Sequence, residues 1–357
     1  MAETLESLGF DLFFKSAMEA RGWDHLEPAR VVEAHLEKYL VRTSHGVRKA
    51  EIAGKLRYSL EERADFPNVG DWVAVASLDG EVAVIHHLLP RKSALYRRAA
   101  AQQSARQVIG ANIDVALIVQ AVEHDFNLNR LERYLAAACG GGIEAVVVLS
   151  KCDLMPPAEL SAQATRIEER HPGLRLLYTS SLESGGLEAL RSFLEAGKTY
   201  CVLGSSGVGK STLINGILGE DVLDTREISD WNQRGKHTTT HRALFVVPSG
   251  GILIDTPGMR ELGVAGGVGA VEKTFEDILA LAENCRFSDC RHGDEPGCAV
   301  IAALESGALD PEKLENYEKI RREAVHYETS AAEKRKKDRN QGKLYKRVKK
   351  EIYGRRS

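Results

Sequence analysis

Residues 146–154 read VVVLSKCDL: a run of branched apolar residues that stops at Ser150-Lys151-Cys152-Asp153. A short apolar run closed by polar residues is the pattern of a strand buried on both faces, and such a strand delivers the polar quartet to its carboxyl end. Further along, residues 204–212 read GSSGVGKST, again after an apolar run (TYCVL) and ahead of a helical pattern (KSTLINGIL). The order of these two stretches decides how the chain is folded.

Gly204-Ser205-Ser206-Gly207-Val208-Gly209-Lys210-Ser211 satisfies G-x4-GK[ST], and Thr212 continues it into the helix. The strand before and the helix after raise this match above a glycine-rich turn with no ligand. Glycines let the backbone wrap a phosphate, while loop N–H groups and the helix N-terminus supply a positive field. Lys210 would pair with the β- and γ-phosphates and Ser211 would ligate Mg2+. Downstream, GILIDTPG supplies a D-x-x-G, with Asp255 near Mg2+ and the Gly258 N–H towards the γ-phosphate. Between them GKHTTTH offers Thr238, Thr239 and Thr240, of which one, taken here as Thr239, would close over the metal.

Phosphate loop, threonine, then D-x-x-G is the order of a GTP switch, in which a base-reading [N/T]-K-x-D should follow. Here it has already occurred, as Ser150-Lys-Cys-Asp153. Asp153 can accept from guanine N1–H and from its exocyclic amine. Adenine has no donor at N1, so an unpaired carboxylate there would disfavour it. Lys151 would lay its stem along the base, and YTSS at 178–181 puts Ser180 in the supporting turn. The domain is therefore expected to be circularly permuted. The termini of a compact domain often lie close together, so rejoining them and cutting elsewhere leaves the packing intact. The cut falls just after DTPG, so loss of the γ-phosphate could pull on the C-terminal region. Two positions depart from the pattern: Ser150 stands where Asn or Thr is usual, and Met259 where a water-orienting Gln is common. A thioether cannot orient water, which leaves His237 as a candidate, with a solvated loop histidine as its alternative.

Around this core the chain divides into an N-terminal extension (1–37), a β-rich segment (38–95), the permuted domain (96–264) and a C-terminal helical part (265–357). In the second segment, WVAVASLDGEVAVIHHLL alternates about Asp79-Gly80, a hairpin signal. Several short strands in so small a span predict a barrel; composition does not separate an OB-type from an SH3-like one. From about 107 onward, apolar strands alternate with helices, which means a mostly parallel sheet covered by helices. The fold class is thus multidomain α/β. In the last part, Cys285-x4-Cys290-x-His292-x5-Cys298 makes a Cys3His set suited to one structural Zn2+ with no open position, the alternatives being a chance cluster or a disulfide pair. Asp310-Pro311 should start a helix, with Leu314, Tyr317, Ile320, Ala324 and Tyr327 on its packing face. Residues 331–357 hold twelve Lys/Arg against three acids, a block that usually marks a solvated tail and often contacts nucleic acid, within a chain of net charge −3. No apolar run approaches the ~18 residues of a membrane span, and the N-terminus lacks the order of a signal peptide. A cytosolic protein is expected, in which six cysteines serve as metal ligands or buried thiols.

These motifs together resemble the ribosome small subunit-dependent GTPase A family, the YjeQ-like circularly permuted GTPases. The resemblance runs from GDWV at 70–73 through LPRKSALYRR, SKCD, GSSGVGKST, HTTTHRALF and DTPG to the cysteine cluster and basic tail. It implies an N-terminal OB-type β-barrel, a central permuted P-loop GTPase domain and a C-terminal zinc-binding helical domain. It also implies GTP hydrolysis to GDP and phosphate, stimulated by the small ribosomal subunit in its late maturation. Partners would be that subunit and its rRNA, with GTP/GDP and Mg2+, and a monomer acting in the cytoplasm away from membranes. Two other functions fit part of the same motifs: a P-loop enzyme phosphorylating a small molecule, and an RNA chaperone in which nucleotide is bound but not turned over.

Overall fold

The computed structural model describes residues 4–35, 38–78, 82–99, 102–123, 125–183, 185–219, 243–255, 266–293 and 295–329. After a short helix α1 (Leu12–Glu19), strands β1 (Glu27–His35), β2 (Lys38–Thr43), β3 (Gly46–Ile52), β4 (Trp72–Leu78) and β5 (Val82–Leu88) close a barrel in the order β1-β2-β3-β5-β4. A helix α2 (Gly54–Ser59) packs on β5. The expected hairpin is present as antiparallel β4 and β5 with Leu78 opposite Val82, while Asp79-Gly80 itself lies outside the described residues. Small and branched side chains fill the barrel, among them Val31, Val41, Val73, Val75 and Ile85.

The first barrel strand begins at Glu27, inside the N-terminal extension (1–37) expected from the sequence. Its pattern explains why. Arg30, Val31 and Val32 are buried in succession, because Val31 faces the barrel while Val32 joins the core of the neighbouring sheet. A strand covered on both faces loses its alternation.

Two strands, β6 (Ala94–Ala99) and β7 (Gln102–Ala111), pair antiparallel as a separate ribbon. The six-stranded sheet follows: β8 (Val115–Ala121), β9 (Glu144–Ser150), β10 (Leu176–Tyr178), β11 (Thr199–Leu203), β12 (Leu244–Val246) and β13 (Ile252–Ile254). Their order across it is β10-β9-β8-β11-β13-β12, parallel throughout except for β12. Helices α3 (Leu128–Gly140), α4 (Pro157–Arg170), α5 (Glu188–Phe193) and α6 (Lys210–Leu218) accompany it, and apolar cores lie on both its faces. The strand that leads into the phosphate loop, β11, is central, although β8, β9 and β10 all precede it in the chain. That is the permuted order.

The C-terminal part holds α7 (Val268–Thr274), α8 (Glu276–Ala282), α9 (Ala299–Glu305) and a helix α10 described over 311–329. Asp310 caps α10 by accepting from the Glu312 N–H at 2.9 Å. Leu314, Tyr317, Ile320, Ala324 and Tyr327 are all buried, so the stripe is packing.

Barrel and sheet are joined where GDWV meets LPRKS. Gly70 has φ +90°, and a Cβ there would sit 2.1 Å from the Ala111 carbonyl oxygen, so the backbones approach only because the side chain is hydrogen. Asp71 is fully buried and takes both oxygens to Arg91, at 2.7 Å each. Burial lowers the affinity of Arg91 for its proton, but the Asp71 charge and hydrogen bonds outweigh it and hold the guanidinium above its usual range. Arg30 is also buried, stacked 5.7 Å from the Trp72 ring and donating to Leu8 O and to Thr199 Oγ1 (2.7 Å). Its group ties the N-terminal segment, the barrel and β11 together, and burial pulls its pKa down to about 10 against the pull of Asp114 and Asp71.

Candidate functional site

The strand-borne site residues gather at the carboxyl edge of the parallel sheet, where open α/β sheets bind ligands. At the end of β11, Gly204 has φ +148°, and a Cβ on it would lie 2.4 Å from Val119 O of β8, so a side chain is excluded where the loop begins. Ser205 and Gly209 are half-buried, Val208 is packed in the core, and Ser206, Gly207 and Thr212 are exposed. Lys210 Nζ donates to Gly204 O at 2.9 Å and to Ser205 O, which holds the ammonium against the loop backbone. Ser211 sits in the first turn of α6, and Asp255 directly follows β13, the strand next to β11. Both offer hard oxygen donors of the kind Mg2+ takes. Thr239, His237, Gly258 and Met259 lie outside the described residues.

The residues expected to read the base come from the neighbouring strands. Ser150 ends β9 and is buried; its Oγ lies 2.9 Å from Val208 O, with Gln120 O at 3.3 Å. The hydroxyl at this unusual position therefore spans from the base corner to the phosphate loop. Lys151 follows in the left-handed region (φ 59°), which turns the chain sharply. Cys152 points inward, its Sγ donating to Leu149 O, and burial pushes its thiol up. Asp153 is half-buried, and its Oδ1 accepts from Ser180 Oγ at 2.6 Å. Ser180 Oγ in turn accepts from the N–H groups of Leu182 (3.3 Å) and Glu183 (3.2 Å). One carboxylate oxygen is thus held by the next strand's turn, and the group is oriented with acceptors to spare.

Three residues near the phosphate loop were not singled out in the sequence. Arg130, in the first turn of α3, pairs with Asp125 and donates to Ser205 Oγ through the same Nη1. Tyr134, one turn later, is buried; burial pushes its phenol up, and a hydrogen bond to Ser205 opposes this. No sequence signal marks them, since NLNRLERYLAAACG reads as an ordinary amphipathic helix and Ser205 is distant along the chain.

The second cluster is Cys285, Cys290, His292 and Cys298, whose ligand atoms all lie within 4.8 Å of one another. Cys285 Sγ is 3.9 Å from Cys298 Sγ and 3.7 Å from His292 Nδ1, and Cys298 Sγ is 3.6 Å from that nitrogen. A tetrahedral metal with bonds of about 2.3 Å to sulfur and about 2.05 Å to nitrogen requires edges of roughly 3.8 and 3.6 Å. The four residues fit one metal ion. Cys298 also caps α9, its Sγ accepting from Ile301 N at 3.5 Å, so the site sits at the start of a packed helix.

A family model described as RsgA GTPase matches residues 88–265. The chain is 44% identical over 334 residues, 90% of each chain, to the small ribosomal subunit biogenesis GTPase RsgA of Opitutus terrae. The chain belongs to the RsgA GTPase family. Its likeness to the protein of the same name from Xanthomonas campestris pv. campestris is 46% over 312 residues, 86% of this chain and 82% of that one. Among solved structures, YjeQ from Thermotoga maritima aligns with a TM-score of 0.62 at 28% identity, covering 84% of this chain and 98% of that one. YloQ, titled a circularly permuted GTPase, aligns at TM-score 0.60 and 22% identity over 87% of this chain and 96% of that one, which bears on the fold. Permuted strand order, barrel and Cys3His cluster are thus features of an RsgA-family fold. Among the described residues no helix is long and apolar enough to cross a membrane.

Proposed function

We propose that this protein binds the small ribosomal subunit and its rRNA and hydrolyses GTP in the late maturation of that subunit, in the cytoplasm and as a monomer. The observation that carries the reading is the link from Ser150 Oγ to Val208 O, which joins a base-reading corner and a phosphate loop that the chain order had separated. The relatives' names supply the subunit: they are small ribosomal subunit biogenesis GTPases.

Within that function Asp153 selects guanine, with Ser180 holding the carboxylate and Ser150, Lys151 and Cys152 shaping its turn. The loop from Gly204 to Thr212 wraps the phosphates, and its N–H groups with the N-terminus of α6 supply the field. Lys210 would leave the loop carbonyls for the β- and γ-phosphates. Ser211 and Asp255 would hold Mg2+, which when bound neutralises charge on the phosphoryl oxygens. Thr239 and the Gly258 N–H would close on the γ-phosphate, with His237 as the group that orients water. Cys285, Cys290, His292 and Cys298 would hold one structural Zn2+, a set without an open position for chemistry. The barrel, the permuted domain and the C-terminal part with its basic tail are the working units, and subunit binding raises turnover through the segment after Asp255.

Co-sedimentation with purified small subunits tests this reading. The protein should pellet with them when loaded with a non-hydrolysable GTP analogue and be released with GDP. Equal pelleting in both states would contradict a switch.

A further inference from the structure

The helix α3 has two working faces within little more than one turn. Residues four apart on a helix lie nearly one above the other, so Arg130 and Tyr134 look the same way, and both reach Ser205 of the phosphate loop. Asn129, Glu132 and Arg133 look elsewhere. Glu132 is fully buried, 2.7 Å from Arg170 Nε of α4, and accepts from Asn316 Nδ2 of α10. The same Asn316 amide donates to Asn129 O at 3.1 Å. Arg133 makes a bidentate pair with Glu323 of α10, at 2.6 and 3.0 Å. A bidentate Arg–carboxylate pair and a buried carboxylate network fix orientation as well as distance. The helix is thus bolted from behind by α4 and α10, and its front holds the loop.

We propose that Arg130 is a positioning residue of the phosphate loop, anchoring Ser205 to the rigid helix α3 so that the loop is already shaped for phosphate. The observations bear on the division of labour in the loop. Lys210 holds Ser205 by its carbonyl, and its ammonium is also the group expected at the phosphates. Arg130 holds the same residue by its hydroxyl and touches no loop N–H, so its grip is compatible with bound nucleotide. Asp125 keeps the guanidinium in place by pairing with the same Nη1. A group held by its own supporting shell on a helix positions a site more closely than one carried on a loop. Because Ser205 lies at the start of the loop, the gain is shared by GDP and GTP. A contribution that is equal in ground and transition states changes KM and leaves kcat alone.

The inference rests on the guanine-nucleotide reading above, and the test separates the two. Fluorescent GDP and GTP titrations and steady-state turnover are run on the wild type, Arg130→Ala, Arg130→Lys, Ser205→Ala and Arg130→Ala/Ser205→Ala, each checked by thermal melting. Arg130→Ala should raise Kd for both nucleotides and KM by about tenfold, the scale of one hydrogen bond from a charged group, with kcat within about twofold. Arg130→Lys should recover part of the loss. The double variant should bind no more weakly than Arg130→Ala alone, because both substitutions break the same link. A wild type that binds no guanine nucleotide overturns the functional reading itself. A wild type that binds, beside a folded Arg130→Ala of unchanged Kd, overturns the positioning role alone; so does a double variant whose losses simply add. If Arg130→Ala fails to fold, Ser205→Ala decides on the same criterion: it should raise both Kd values together, and an unchanged Kd refutes the anchor.

Discussion

Asp153→Asn changes one atom pair in the base corner, and the structure says which way the new group turns. In the wild type Asp153 Oδ1 already accepts from Ser180 Oγ at 2.6 Å. That serine hydroxyl is itself fixed, since it accepts from the backbone N–H groups of Leu182 and Glu183 and so has its proton directed at residue 153. An asparagine would therefore keep its amide oxygen on Ser180 and turn its NH2 to the base. Guanine presents two donors there, N1–H and the exocyclic amine, so two charge-assisted bonds are lost and donors face donors. At about 1.5–3 kcal/mol for each such bond, GDP affinity should fall by roughly 10²- to 10⁴-fold. Xanthine carries a carbonyl where guanine carries the amine, so the NH2 regains a partner. Competition titrations of GDP, xanthosine diphosphate and ADP against a fluorescent nucleotide should show Asp153→Asn preferring the xanthine nucleotide. An unchanged preference for GDP in a folded variant would refute the assignment of Ser150–Asp153 as the base corner.

Lys210→Ala should abolish turnover with little change in melting temperature, since its ammonium donates to two loop carbonyls, contacts of the kind water can replace; retained wild-type turnover would remove the loop from the site. Cys290→Ala, or metal removal by a chelator, should release one equivalent of metal and loosen the C-terminal part, read by proteolysis and metal analysis, because a closed thiolate site contributes folding energy directly. Guanine nucleotide affinity should stay within a few-fold, as every nucleotide-contacting motif lies before residue 260. Deleting residues 331–357 should weaken subunit binding and flatten its dependence on salt, as expected when Lys/Arg contacts to phosphates are lost.

The permuted order was legible because each motif ends a strand: SKCD after VVVL, TSS after LLY, the glycine loop after TYCVL and Asp255 after ILI. Strands of that kind announce themselves by continuous apolar runs, and the polar residues after them can only fall at one edge of a parallel sheet. The Cys3His set was legible because all four ligands come from one short segment. What was hidden depends on partners far along the chain. Glu132 and Arg170 read as solvent-facing charges on two helices, yet Glu132 is fully buried and Arg170 nearly so, because α10 closes over them. The strand Glu27–His35 was hidden because it is covered on both faces and carries Arg30 inward. Ser150 looked like a weakened base corner by residue type alone. Its value shows only in the hydrogen bond to Val208, which a comparison of side chains does not contain.

The central claim is that the small ribosomal subunit governs GTP turnover by this chain. The direct measurement is phosphate release at saturating GTP with the protein alone, with purified small subunits and with large subunits, using Lys210→Ala as the blank. Slow release alone, a clear increase with small subunits and none with large ones is the predicted result. Turnover unaffected by small subunits that the protein demonstrably binds would contradict the account.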